Sequence, residues 1–410
     1  MKTVVFKVQT VTPTFMGGGE GRFDGIRIPE IKGVMRWWFR ALAGCFVGND
    51  LSRLKDIEGN IFGIANDSKN NQKSKFRLSI ENSKLQFLTK NKQGIDSNGY
   101  TYLGIGNVIF KFDRNNRGKC IPNPDKADKN NNVLIDAGSM FDLRFTFYPQ
   151  ATEDDINLII GSFYLATAMG GFGLRGRKCF GSWQIKDITN QKDFIPVFEP
   201  KEYQKEGIIK NIETLKSILK KRISIFHQSA TKYPVIGDFK YVFEVIETKF
   251  TDYKALLDQF GQYYRGFRVC AENPRPGIPK KGIHTTDFVF LSSILSAPKN
   301  CIEIKNFNDY KVRNALFGLN IFYPQLNKGL QLERQKGGQK EVLRRASPIC
   351  FSVKEINEKL NLYITLFKSP FIPEDSSVRF GNKNIPVEDY QLLENKFLPY
   401  IKQSLGGKNG

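Results

Sequence analysis

The chain has 410 residues, of which 40% are hydrophobic and 13% aromatic, so it can bury a substantial core and is not a disordered protein. Lysine and arginine number 62 against 41 acidic residues, a formal net charge of +21. Such a surplus favours a polyanionic partner, with nucleic acid ahead of an anionic membrane surface. No apolar run approaches the roughly 18 residues that span a bilayer, and no signal peptide is indicated, so we expect a cytoplasmic protein without a membrane partner.

The first half of the chain predicts the order strand, helix, strand, strand, helix, strand. Alternating or amphipathic patterns define these elements at residues 2–13, 30–44, 74–80, 139–149, 152–171 and 183–188. The second helix begins with a capping threonine, Thr152, and three acidic residues, as a helix should. Residues 113–132 are polar, rich in asparagine and contain proline, which predicts a long exposed insertion between the two central strands. The order is the βαββαβ order of a ferredoxin-like unit.

The second half predicts a further unit of the same kind. A charged amphipathic helix at residues 201–226 would link the halves, followed by strands and one helix at 240–248, 252–268, 315–325, 346–356 and 360–367. We therefore expect an α+β protein with two ferredoxin-like, RNA-recognition-motif-like domains in tandem, each with insertions. The predicted division is 1–195 and 196–410.

The helix at residues 30–44 carries cations on one face and an apolar stripe on another. Lys32, Arg36 and Arg40 stand at i, i+4 and i+8, and no acidic residue lies between Glu30 and Asp50. This row of unpaired cations favours anion binding over an ordinary solvated face. Trp38 falls on the apolar stripe and is predicted to be core. Trp37 borders the cations, where it would either stack on a base or simply pack.

The most specific motif is the glycine-rich stretch at 170–183, "GGFGLRGRKCFGSW". Five glycines alternate with three cations, and no acidic residue occurs between Asp155 and Asp187. Glycines let backbone approach a ligand closely, so we predict contact with a phosphate backbone. The residues proposed for that contact are Gly171, Gly173, Arg175, Gly176, Arg177 and Lys178. With the strand order 4-1-3-2, this loop and the cation row of the first helix are expected to form one site.

Other basic or glycine-rich stretches have two open interpretations. The turn at 16–23 is as compatible with a plain turn as with binding. Arg344 and Arg345 precede a small-residue turn, and residues 265–282 form a basic loop rich in proline and glycine. Either of these would contact RNA or an acidic protein neighbour.

Catalytic and metal-binding patterns are scarce. The six cysteines form no CxxC pair and the chain has two histidines, His227 and His284, so neither a metal site nor a disulfide framework is predicted. His284, with Asp287 nearby, is the one candidate general base, yet no second catalytic partner stands at a fixed spacing from it. We expect no cofactor and no enzymatic activity.

Taken with the βαββαβ order, these motifs resemble the RAMP superfamily of CRISPR proteins. The segment Gly171–Phe172–Gly173 matches the first half of the family's glycine-rich loop, whereas Trp183 stands where a glycine would be expected in the second half. "IKGVMRWWFRAL" resembles the early helix of the RAMP subunit of the type III-B Cmr complex, and "ALFGL" at 315–319 and "RRASP" at 344–348 resemble its second-domain signatures.

The resemblance implies a non-catalytic subunit that caps the ribonucleoprotein filament at the end holding the 3′ part of the guide RNA. Its expected partners are guide RNA, target RNA and other RAMP subunits, in antiviral defence. The cation row would then face the phosphates of the guide or target. The alternative within the superfamily is a metal-independent endoribonuclease that processes guide RNA with His284.

Overall fold

The structure is a computed structural model that describes most of the chain. The described residues are 1–64, 72–89, 98–104, 110–112, 120–189, 194–223, 231–238, 240–268, 287, 290–291, 294, 310–323 and 326–406. His227, His284 and most of the basic loop at 265–282 lie outside them.

Strands and helices are mixed along the whole chain. The strands are β1 (Thr3–Thr10), β2 (Phe76–Lys84), β3 (Phe87–Thr89), β4 (Phe110–Phe112), β5 (Cys120–Pro122), β6 (Asn132–Ile135), β7 (Met140–Phe147), β8 (Trp183–Thr189), β9 (Tyr241–Ile246), β10 (Ile321–Tyr323), β11 (Lys328–Lys336), β12 (Gln339–Leu343), β13 (Ile349–Ile356), β14 (Lys359–Phe367), β15 (Ser376–Phe380) and β16 (Lys383–Asn384). The helices are α1 (Ile28–Val47), α2 (Leu51–Phe62), α3 (Asn98–Gly104), α4 (Glu153–Met169), α5 (Lys205–Arg222), α6 (Tyr253–Arg268) and α7 (Leu398–Leu405), with short helical turns at Pro124–Lys126, Asn314–Phe317 and Leu393–Phe397.

The N-terminal half is built on a four-stranded antiparallel sheet in the order β2-β7-β1-β8. This is the strand order predicted from the sequence, so the strand that follows the glycine-rich loop pairs directly with β1. Side chains of β7 alternate strictly between buried and partly exposed, because one face of the sheet packs on the core. The helices α1 and α4 pack against each other beside this sheet.

The start and end of α4 follow from local chemistry. Thr152 caps the helix reciprocally with Asp155: the Asp155 N–H donates to the Thr152 hydroxyl at 3.2 Å, and the Thr152 N–H donates to the Asp155 carboxylate at 2.9 Å. The helix is buried almost all round, as its continuous apolar sequence requires. It ends at Gly170, which places the glycine-rich loop at the end of a rigid element.

The C-terminal half contains two sheets. One is antiparallel in the order β13-β14-β9, with α6 following β9 in the chain. The other has the order β10-β11-β15-β16, with β12 paired on β11.

Backbone hydrogen bonds join the glycine-rich loop to the C-terminal half. The Cys179 N–H donates to the Phe351 carbonyl on β13, and the Phe351 N–H donates to the Arg177 carbonyl, both at 3.1 Å. The two hydrophobic clusters of the core each contain residues of both halves, such as Phe367 in the first and Phe180 in the second. The loop is therefore held at a junction of the two halves rather than at a free end.

The segment between β2 and β7 packs on the C-terminal half. Its helix α3 crosses α6 so closely that a side chain on Gly99 would overlap the backbone of Asp258, and the Gly99 N–H donates to the Asp258 carboxylate at 2.8 Å. The part of the predicted insertion that the structure describes, from residue 120, includes the buried Asn123, so it is not exposed throughout. Within the described ranges, no helix has the length and apolar character needed to cross a bilayer.

Candidate nucleic-acid interface

A cleft of about 490 Å³ opens between the two halves, and we call it the central cleft. Four segments line it: the first half of α1, the glycine-rich loop, α6 with the helical turn after it, and the turn leading into β13. The lining residues are Gly33, Val34, Trp37, Trp38, Gly170, Gly171, Gly173, Leu174, Arg175, Gly176, Arg177, Lys178, Tyr264, Phe317, Gly318, Ala346, Ser347, Ile349, Cys350 and Phe351.

The charged residues in this lining are all cations. Arg175, Arg177 and Lys178 line the cleft, and no carboxylate does so among the residues that the structure describes. Burial lowers the pKa of Lys178 well below its ordinary value, and the charges of Arg268 and Arg175 lower it further. Burial and the charge of Arg268 also lower the pKa of Arg175. The cleft therefore gathers positive charge that a bound anion would neutralise.

Aromatic rings and a carbonyl group contact two of these cations, Arg177 and Lys178. The Arg177 guanidinium lies 5.0 Å from the Trp37 ring and donates to the Ser347 carbonyl at 2.8 Å. The Lys178 ammonium lies 5.0 Å from the Tyr264 ring, and the guanidinium of Arg268 lies 5.4 Å from the same ring. Cation–π contacts orient a cation without cancelling its charge, so the field remains available to a ligand.

The two adjacent tryptophans differ as predicted. Trp38 is 3% exposed and belongs to the core. Trp37 is half-buried: it makes edge contacts with Trp38 at 4.9 Å and Phe367 at 5.5 Å, and it also lines the central cleft. The packing interpretation of Trp37 is confirmed, and stacking on a base stays a prediction for a ring that lines the cleft.

The glycines of the loop are required by the fold itself. Gly173 and Gly181 have positive φ angles of 76° and 64°, and added side chains would overlap the carbonyls of Phe15 and Phe172. A side chain on Gly171 would stand 2.7 Å from the carbonyl of Gly176, and the reverse distance is equal. Internal packing thus accounts for these glycines, and their predicted contact with phosphate stays a prediction.

Trp183, where the family pattern suggests a glycine, fills the core below the loop. Its ring stacks on Phe172 at 4.1 Å and its indole N–H donates to the Thr14 hydroxyl at 2.9 Å. The side chain is fully buried. The departure from the pattern therefore adds support beneath the loop and does not alter the lining of the cleft.

The prediction of a row of unpaired cations on α1 is wrong for two of its three members. Arg36 donates to the Glu58 carboxylate at 3.0 Å and to the Gly63 carbonyl, and Arg40 donates to both oxygens of Glu58 at 2.9 and 3.0 Å. Glu58 is buried and comes from α2, the next helix along the chain. No acidic residue is close to these arginines in sequence, but the fold brings Glu58 to them. RNA contact by Arg36 and Arg40 was predicted because they lacked an acidic partner. That reason no longer holds, and the contact stays an untested prediction.

The expected shared site exists only in part. The helix α1 and the glycine-rich loop do meet, but through Gly33, Val34 and Trp37 rather than through the cations. Arg36 instead turns towards α2, and Lys32 lies 4.6 Å from the ring of Phe76 on β2. Arg36 and Arg177 therefore do not hold one stretch of a ligand together within the central cleft.

Neither of the paired arginines in the second half lines the central cleft, but Arg345 lies near enough to Arg177 for their charges to interact. Arg345 donates to the carbonyls of Phe371 at 2.8 Å and Pro370 at 2.9 Å, and burial together with the charge of Arg177 lowers its pKa. Arg344 is exposed and is absent from the lining. Tyr264 was not predicted as a site residue, although aromatic and basic residues run together at the end of α6.

The chain is similar in sequence to a known family and to curated proteins. The family model of the RAMP superfamily matches residues 7–183. The protein "CRISPR system Cmr subunit Cmr1-2" of Pyrococcus furiosus is 30% identical over 192 residues, which cover 45% of this chain and 96% of the relative. The chain belongs to the RAMP superfamily.

Two full-length comparisons extend the likeness of this RAMP chain beyond its first half. The protein "CRISPR system Cmr subunit Cmr1-1" of the same organism is 24% identical over 404 residues, covering 97% of this chain and 96% of the relative. The crystal structure of Cmr1 from Pyrococcus furiosus in its apo form superposes with a TM-score of 0.57 at 21% identity, covering 99% of this chain and 97% of that one. The second comparison shows a common fold over the whole chain.

Proposed function

We propose that this RAMP chain is a non-catalytic RNA-binding subunit of a type III-B CRISPR effector ribonucleoprotein in the cytoplasm. It would cap the end that holds the 3′ part of the guide RNA and help to bind target RNA in antiviral defence. Other RAMP subunits would be its protein partners. The likeness to two Cmr subunits supports the complex, and the central cleft supports the RNA.

The observation that carries RNA binding is the composition of the central cleft. Three cations line it without a described carboxylate, and the half-buried Trp37 supplies aromatic surface beside them. Phosphates would neutralise the cations, and an unstacked base would lie against Trp37. A single strand satisfies both requirements because its bases are free to leave a stack.

We also propose the tandem ferredoxin-like architecture with the division 1–195 and 196–410. The N-terminal sheet supports it through its βαββαβ order. In the C-terminal half, β9, α6, β13, β14 and α7 occur in the order βαββα, with β10–β12 inserted before β13 and β15–β16 inserted after β14. The order of β9, β13 and β14 in their sheet matches three strands of the same unit. The fourth strand of that unit is absent from the described residues.

The non-catalytic part of the proposal is supported by the engagement of Asp287, the acid nearest to His284 in sequence. Its carboxylate accepts hydrogen bonds from the Tyr310 hydroxyl at 2.6 Å and from the backbone N–H groups of Arg313 and Asn314. Burial raises its pKa to about 6. Through these hydrogen bonds the Asp287 carboxylate fixes residues 310–314. The described part of the chain holds no group of three or more potential metal ligands.

The salt dependence of RNA binding tests the proposal. Fluorescence anisotropy with a labelled single-stranded RNA of about 20 nucleotides should show log Kd rising with log salt by about 0.7 per phosphate contact. Arg177→Gln should weaken binding and lower that slope by about 0.7. Arg334→Gln is the matched control, since Arg334 is paired with Glu341 at 2.6 Å and is outside the cleft lining. Equal slopes for the two variants would contradict the proposal.

A separate experiment tests the position of the subunit in the complex. Photo-crosslinking groups placed at successive nucleotides of the guide should crosslink to this chain from the 3′ part. Crosslinks confined to the 5′ part would rule out the capping role and would leave RNA binding in the central cleft intact.

A further inference from the structure

Gly33 lies inside α1 at a position where the fold does not require a glycine. The residue is exposed, and among the described residues outside its own turn of helix a Cβ added to it would meet no heavy atom within 4 Å. By contrast, Cβ atoms at Gly44, Gly59 and Gly161 in other helical positions would collide with Tyr233, Ile64 and Leu215. Glycine is the least favourable helix residue after proline. Its presence at an open position is explained if something outside the chain approaches the helix there.

Two clefts are lined by adjacent residues of α1, one by Gly33 and the other by Lys32. Gly33 lines the central cleft. Its neighbour Lys32 lines a second depression of about 560 Å³ between α1 and the start of β2, which we call the outer cleft. The polar side chains of the outer cleft are Lys32, Lys73, Ser74, Arg77, Tyr148 and Gln150. The first turns of α1 therefore separate two basic depressions, with Gly33 on one side and Lys32 on the other.

The chemistry of the outer cleft fits a phosphate backbone. Lys73 and Arg77 are exposed, and no carboxylate lines this cleft in the described part of the chain. The nearby Lys75 is already paired with Asp155 at 2.9 Å. Cationic side chains together with serine, tyrosine and glutamine are the groups that commonly contact phosphate and sugar. The exposed large apolar residues of the described chain lie elsewhere, so the outer cleft offers no anchor for a peptide.

We infer that one RNA strand passes from the central cleft over α1 at Gly33 and into the outer cleft. The inference rests on the proposed RNA binding and extends its path. An α-helix with side chains is about 10–12 Å across, and the bare backbone at Gly33 lowers this barrier where the strand crosses. Phosphates would then contact Arg175, Arg177 and Lys178 before the crossing and Lys73 and Arg77 after it.

The substitutions Gly33→Ala and Gly33→Gln give the sharpest test, because they separate fold from binding. Alanine favours a helix over glycine, so Gly33→Ala should raise the melting temperature. Both variants should weaken binding of a 20-nucleotide single-stranded RNA, and Gly33→Gln by about tenfold, the scale of one lost stacking contact. Ser217→Ala is the matched control: Ser217 is exposed on α5 and lines neither cleft. It should change stability without changing RNA affinity.

The outer cleft is tested with RNAs of two lengths. The double variant Lys73→Gln, Arg77→Gln should bind a 20-nucleotide RNA more weakly, with a salt slope reduced by about 1.4, or two contacts of about 0.7 each. It should bind a 5-nucleotide RNA, which fills only the central cleft, as the unaltered chain does. Labelled poly-L-glutamate serves as the competing probe for an acidic protein partner.

The outcomes separate this inference from the proposed function. Unchanged RNA affinity in the Gly33 and outer-cleft variants, with the loss in Arg177→Gln retained, would overturn the path and leave the central cleft standing. Poly-L-glutamate binding that depends on Lys73 and Arg77, with RNA affinity unchanged, would overturn the path and assign the outer cleft to an acidic protein. If Arg177→Gln also binds RNA normally, both the path and the proposed function fail.

Discussion

Lys354 is a fully buried amine whose removal should stabilise the protein in a pH-dependent way. It lies on β13 with no exposure, its ammonium donates to the Val353 carbonyl at 3.1 Å, and no carboxylate contacts it among the described residues. Burial lowers its pKa from 10.5 to about 7, and the nearby Cys179 opposes the shift only weakly. We expect Lys354→Met to keep the length of the side chain and to remove the buried charge.

The sign and size of the effect follow from that pKa. Between pH 7 and 10.5 the unfolded chain binds more protons at Lys354 than the folded chain, so the free energy of unfolding rises with pH. At about 1.4 kcal/mol per pKa unit, the shift corresponds to about 5 kcal/mol at most. The gain from Lys354→Met should therefore be greatest at or below pH 7 and about 3 kcal/mol smaller at pH 9.5.

Urea unfolding followed by tryptophan fluorescence at pH 7 and pH 9.5 measures this difference. Lys359→Met is the matched control, because Lys359 is exposed on the neighbouring strand β14 and loses the same charge. It should change stability little at either pH. If the free energy of unfolding changes with pH in the same way for the unaltered chain and for Lys354→Met, the lowered pKa of Lys354 is refuted.

Two further predictions concern the cation row and catalysis. Glu58→Gln should lower the free energy of unfolding by about 2–3 kcal/mol, less than a fully buried pair would, because Arg36 and Arg40 are 32% and 40% exposed. Urea unfolding measures this loss, with Glu341→Gln as the control because it breaks an exposed ion pair. If Glu58→Gln also raises RNA affinity, the freed arginines do reach RNA. The purified chain should leave a repeat-containing RNA intact on denaturing gels, and cleavage that disappears in His284→Ala would establish the nuclease alternative instead.

Most of the N-terminal fold was predictable because its signals are local. The Thr152 cap, the alternation in β7 and the apolar stripe through Trp38 each depend on neighbours within one element. The helix α2 went unpredicted, although Asp50 caps it by accepting from the Arg53 N–H at 2.9 Å. Because α2 was not predicted, its residue Glu58 was not recognised as a carboxylate that pairs with Arg36 and Arg40.

The sequence predicts part of the lining of the central cleft, namely its three cations, its loop glycines and Trp37. The glycine-rich loop predicts Arg175, Arg177 and Lys178 as one group of cations, because no acidic residue is near them in sequence. Their position opposite Tyr264 depends on β13 pairing with the loop, a contact between residues more than 170 apart. Hydrophobic periodicity carries no information about such a pairing. Neither the contact of Lys178 with Tyr264 nor the hydrogen bonds of Arg345 therefore follow from the sequence.

Glycines show most clearly why composition alone misleads here. The loop glycines, which looked designed for a ligand, prove necessary for the chain's own packing, since side chains at Gly173 and Gly181 would strike backbone. Gly33, one glycine among good helix formers, attracts no attention in the sequence, yet no part of the chain that the structure describes fills the space beside it. A glycine with an internal reason says little about ligands. A helical glycine without one, set between two basic clefts, points to a ligand outside the chain.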